Sequence, residues 1–124
     1  MLQYDKIDLN TFKPGIPMYI DSIEWFANAN DLARIMDNLR RGGSQQALDI
    51  MAINPGVSPA SAKKWDYLGY KGGSEVGVIS MSFLGKTKAG EWKVISGSWN
   101  DTAKAVDETT FVLLMSRLVD LAAD

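Results

Sequence analysis

The chain has 124 residues, 46% of them apolar, which is enough for one small core and leaves little stability to spare for an uncovered apolar face. Its 13 basic residues face 15 acidic ones with no long run of either sign, so the footprint of a nucleic-acid or anionic-membrane surface is excluded. Neither Cys nor His occurs, which removes zinc fingers, thiol nucleophiles, Ser-His-Asp triads and histidine bases, and leaves carboxylates, lysines, hydroxyls and backbone amides.

Residues 1–24 read as a leading segment punctuated by Pro14-Gly15 and Pro17, with Met18-Tyr19-Ile20 as a short strand candidate. A helix is predicted over Ala29 to Arg41: Asn28 or Asn30 caps it, Asp31 suits its positive end, and Leu32, Ile35, Met36 and Leu39 recur on one face. Gly42-Gly43 is its expected stop. A shorter helix begins at Ser44, aligns Ala47, Leu48, Met51 and Ala52, and closes at Asn54-Pro55-Gly56. A loop rich in Ser, Pro and Ala runs on to Lys64.

From there the period changes to two. Trp65 to Lys71 is an aromatic strand candidate, and Val76 to Leu84 alternates Val78, Ser80, Ser82 and Leu84 with Gly77, Ile79, Met81 and Phe83. Glu91 to Trp99 alternates likewise, and Thr87-Lys88-Ala89-Gly90 joins the last two strands as an antiparallel hairpin. A last helix is predicted from Val106 to Ala122, with Asp107-Glu108 as favourable N-terminal charges and Phe111, Leu114, Met115, Leu118 and Ala122 as its core stripe. The result is an α+β fold, a three-stranded antiparallel sheet packed against N-terminal helices and a C-terminal helix, with residues 1–124 as a single domain. Trp25, Trp65, Trp92, Trp99, Tyr67 and Tyr70 suit core packing better than a stacking surface, and the serines of the hairpin suit a half-exposed sheet face.

Lys71-Gly72-Gly73-Ser74 closes the aromatic strand and lacks the spacing of a nucleotide loop. It is followed by Glu75, the Ser/apolar hairpin with Ser98-Trp99-Asn100, and the helix opening Val106-Asp107-Glu108; Ile20-Asp21-Ser22-Ile23-Glu24-Trp25-Phe26 and Ala52-Ile53-Asn54-Pro55-Gly56 precede it. This succession resembles the C-terminal half of class A β-lactamases and β-lactamase-like serine hydrolases of the penicillin-recognising fold; the resemblance runs from about Ile16 to Asp124, with residues 25–124 as the β-lactamase-like region. The resemblance implies a substrate-binding run of Lys71, Gly72, Gly73, Ser74 and Glu75. Lys71 would hold the substrate carboxylate and tune proton transfers, and the Ser74 N–H would complete an oxyanion hole. Gly72 and Gly73 would admit the substrate close to the strand.

Two departures from that family stand out. Gly72 occupies the position of its usual Ser or Thr, and its Ser-x-x-Lys nucleophile, Ser-Asp-Asn loop and general-base glutamate belong upstream of the matching region. Ser61-Ala62-Lys63-Lys64 fits Ser-x-x-Lys as a chance match in a loop. The chain therefore carries no catalytic residue of its own beyond the oxyanion candidate Ser74, and is expected to be inactive alone, with no cofactor and no metal. Acyl transfer on a lactam, amide or ester is the activity implied on completion; the other reading is a non-catalytic binding or self-association module. In the family's full fold the N- and C-terminal strands lie beside this hairpin, so the resemblance implies an unprotected sheet edge, which predicts a homodimer or a complementary N-terminal half as partner, and a small-molecule substrate only when completed. No signal peptide or membrane span is read in the sequence, which points to the cytoplasm for the chain as translated, although the family is often exported.

Overall fold

The computed structural model describes residues 27–42 and 45–124. The leading segment 1–24, the Met18–Ile20 strand candidate, Trp25, Gly43 and Ser44 lie outside the described residues. The elements run α1 (Ala29–Gly42), α2 (Gln45–Ile53), α3 (Pro59–Ala62), β1 (Trp65–Glu75), β2 (Val78–Thr87), β3 (Trp92–Asn100) and α4 (Glu108–Ala122). The strands form one antiparallel sheet in the order β1-β2-β3, so the α+β layout read from the sequence is the one observed.

Local chemistry accounts for most boundaries. Asn28 Oδ1 accepts from the amides of Asn30 and Asp31 at 2.9 and 3.1 Å, and Asp31 Oδ2 accepts from the Asn28 amide at 3.1 Å, a reciprocal cap for α1. Asp107 caps α4 by accepting from the Thr110 amide at 2.9 Å and the Thr110 hydroxyl at 2.7 Å. These bonds, the amide's first, hold the Asp107 carboxyl below the ordinary carboxylate range.

Alternation along β2 builds the two faces of the sheet. Ile79, Met81 and Phe83 share one face with Leu68 and Tyr70 of β1 and Ile95 and Gly97 of β3. On it α4 lays Phe111, Met115 and Val119, spaced i, i+4, i+8, and with Trp65 these make the main core. Gly97 lets α4 pack closely on the sheet, since a Cβ there would stand 2.9 Å from Met115 Sδ. The opposite face carries Ser80, Ser82 and Leu84, and α1 and α2 cover its Leu84 end. Tyr67 donates its hydroxyl to the Leu48 carbonyl at 2.8 Å, and the Arg40 guanidinium lies 5.6 Å from the centre of the Trp92 ring. Helices thus sit on both faces of the sheet, and the adjacent residues Phe83 and Leu84, pointing opposite ways, are both fully buried.

Four sequence expectations change. The segment before Lys64 contains a helical turn, α3, whose N-cap Ser58 accepts from the Ser61 amide at 3.1 Å with Pro59 at the first position. β1 does not close at Lys71 but runs on to Glu75, because Gly72 and Gly73 keep their places in the ladder opposite Met81 and Ser80. β2 accordingly starts at Val78 and extends to Thr87, and Val76-Gly77 becomes the loop of a tight β1–β2 hairpin, with Gly77 at φ +85. On α4, Leu114 and Leu118 are exposed and Val119 takes their place in the core, because its apolar residues form more than one stripe and only one can face the sheet.

Candidate functional site

The residues singled out by sequence occupy the far end of β1, an edge strand. Its outer side pairs with no strand among the described residues. The loop Val76-Gly77 closes on the Glu75–Val78 pair. Antiparallel ladders alternate between pairs that exchange hydrogen bonds and pairs whose amides point away, so counting back from that closure turns the N–H groups of Ser74 and Gly72 toward the open side. The Gly72 carbonyl faces the same way and accepts a hydrogen bond from the ammonium of Lys71.

Side chains along the run divide between the two faces. Lys71, Gly73 and Glu75 share the face of Ser80 and Ser82, whereas Gly72 and Ser74 share the face of Met81 and Ile79. Lys71, Gly73, Ser74 and Glu75 are exposed, and a Cβ built on Gly73 would meet nothing within 4 Å, so an extended molecule can reach the backbone there. The four hairpin serines satisfy one another across β2 and β3: Ser82 and Ser96 hydroxyls lie 2.9 Å apart, Ser98 donates to Ser80 Oγ at 2.9 Å, and Ser80 donates to the Gly97 carbonyl at 3.4 Å. They read as sheet pairing rather than as a line of nucleophiles.

Gly72 has a physical reason to lack a side chain. Tyr70, two residues back on the same face, stacks on Phe83 at 5.0 Å between ring centres and packs over Gly56. A Cβ on Gly72 would overlap the Tyr70 hydroxyl and stand 2.6 Å from its Cζ. Burial raises the Tyr70 phenol above its ordinary pKa, so it stays neutral at physiological pH. The sequence places Tyr70 among the packing aromatics but not against Gly72, although the signal for that contact lies in their i, i+2 relation on a strand. Gly72→Ser is expected to cost about 1–3 kcal/mol of unfolding free energy. Urea melts of a double-mutant cycle with Tyr70→Ala check the cause, because the cost should at least halve when the ring is gone.

The Ser-x-x-Lys match is structural. Ser61 is buried within α3 with its hydroxyl 3.0 Å from that of Ser58. Lys64 Nζ stands 3.3 Å from Asp120 Oδ1, an ion pair whose geometry falls short of a hydrogen bond. The Ser61 hydroxyl first, and Lys64 after it, hold the Asp120 carboxyl below the ordinary range, and the Lys64–Asp120 ion pair ties the residues just past α3 to the last turns of α4. They sit at the Trp65 end of β1, about 30 Å from Ser74 at ~3.3 Å per residue.

Trp65 is buried in the core as expected, whereas Trp99 is exposed at 39% and Trp92 is half-buried against Tyr67 and Arg40. Among the described residues there is no group of three His, Cys, Asp or Glu side chains that could hold a metal ion, and no helix long and apolar enough to cross a membrane. Set against known protein families, curated proteins and solved structures, the chain matches none of them.

Proposed function

We propose that this chain is the substrate-side region of a β-lactamase-like serine hydrolase, completed by an upstream half that carries the nucleophile. The observation that supports it is the outer edge of β1 between Lys71 and Glu75. There an open backbone, two glycines and the outward Ser74 amide sit beside a lysine at one end of the sheet. An extended acyl substrate laid along this edge would find main-chain donors and acceptors, with Lys71 within reach of an anionic group.

In the completed site a serine hydroxyl of the other half attacks the substrate carbonyl carbon. A base takes the hydroxyl proton, and the carbonyl electron pair moves onto oxygen. The Ser74 N–H donates to that oxyanion, a preorganised contact worth about 3 kcal/mol in a dry site. Collapse of the intermediate breaks the bond to the lactam or amide nitrogen, or to the ester oxygen. Proton transfer to the leaving group and hydrolysis of the acyl-serine complete the turnover.

Hydrolysis of a chromogenic cephalosporin and of a p-nitrophenyl ester, with mass spectrometry of the protein, tests this reading. The chain alone is expected to give neither turnover nor an acyl adduct. Mixed with a half bearing a Ser-x-x-Lys helix and a Ser-Asp-Asn loop, it is expected to give both, with the adduct on the added half. A mixture that forms a stable complex yet acylates nothing would end the hydrolase reading.

A further inference from the structure

Helix α4 is apolar on more sides than the sheet covers. Phe111, Met115 and Val119 face the core, and Asp120 turns toward α3, which lies over β1. Leu114, Leu118 and Leu121 follow one another at i, i+4, i+7 on the opposite flank, beyond β3, and are 55%, 42% and 56% exposed. A helix with this distribution is built to be covered on two sides. Directly below that flank runs β3, whose outer edge pairs with no strand among the described residues.

The stripe and the open edge face the same way, so whatever covers them must present a strand in the sheet layer and an apolar helix in the layer above. We propose that the occupant is a second copy of this chain, related by a two-fold axis perpendicular to the sheet. β3 then pairs antiparallel with the partner's β3, and the two α4 helices pack leucine to leucine across the seam. A six-stranded sheet results.

The strand suits this pairing. Its only charge is Lys93, whose ammonium already donates to the Ala122 carbonyl at 2.8 Å. Centred on Ser96, the middle residue, the two-fold sets Lys93 opposite the partner's Trp99 and opposes no like charges. A strand of this length is about 30 Å long, and with the helix layer the contact is ~20 Å high. That is on the order of 600 Å2 per partner, the lower end of the range for specific stable interfaces. The surface lies across the sheet from β1, so it stands independently of the hydrolase reading and leaves the Lys71–Glu75 edge open in both copies.

Sedimentation velocity of the full chain over a micromolar concentration series is the test. The expected result is a reversible dimer that the double variant Leu114→Lys/Leu118→Lys abolishes while the aromatic circular dichroism of the folded chain is retained. Because the chain has no native cysteine, Ser96→Cys is expected to give a covalent dimer on mild oxidation, since directly opposed residues stand within disulfide reach. Ser98→Cys, facing the partner's Val94, is expected to give none. A wild-type chain that stays monomeric, a dimer that survives the double lysine variant, or a Ser96→Cys chain that fails to cross-link overturns the proposal.

Discussion

Phe83→Ala is expected to remove about 3–5 kcal/mol of unfolding free energy, among the largest single-residue losses of the described residues. Phe83 is fully buried on the central strand, stacked on Tyr70 and enclosed by the α4 residues of the main core. Truncation loses the transfer free energy of the ring and leaves a void that a sheet held on both edges of β2 cannot close. A domain of this size has ~5–15 kcal/mol in all, so the variant should be close to unfolded at physiological temperature. The measurement is a urea melt. A large fall in midpoint at constant slope supports the assignment, and a loss under about 1 kcal/mol would remove Phe83 from the centre of the core.

The second large effect is on the other face. Leu84→Ala is expected to cost about 2–5 kcal/mol, because Leu84 is fully buried where α1 and α2 cover the sheet. Leu113→Ala on α4 is the matching control. The same side chain is 66% exposed there, and its truncation should change stability by no more than about 0.5 kcal/mol. Comparable losses at Leu84 and Leu113 would contradict the division of the sheet into two covered faces. Together with Phe83, the pair tests whether both sides of β2 are interior, which a two-layer arrangement would not permit.

The site divides along similar lines. Lys71, Gly72, Gly73, Ser74 and Glu75 were grouped by the resemblance to a known family, because a lysine and two glycines after an aromatic strand are by themselves a weak local signal. Their accessibility was not legible. Whether Ser74 turns its amide outward depends on the two-residue loop Val76-Gly77 that directly follows the run, and on β1 having no neighbour on its other side among the described residues. The missing hydroxyl at Gly72 looked like a loss from a family pattern. In the fold it makes room for Tyr70, whose ring links β1 to the core through Phe83. Ser61-Ala62-Lys63-Lys64 shows the converse: residues with the spacing of a nucleophile motif serve a tie to Asp120, a partner far along the chain.

By itself the sequence determined the number and kind of most elements, the antiparallel β2–β3 hairpin with its two faces, the favourable acidic start of the last helix and the absence of histidine and thiol chemistry. Each of these rests on side-chain period or on groups within a few residues of one another, and such interactions are local. Tertiary structure alone decided which of the α4 stripes became core, how far β1 extended through its glycines, and that α1 and α2 lie across the sheet from α4. Those outcomes turn on burial against residues distant in sequence. A helix with two apolar stripes carries no internal instruction for choosing between them; the sheet chose Phe111, Met115 and Val119, and left Leu114, Leu118 and Leu121 at the surface.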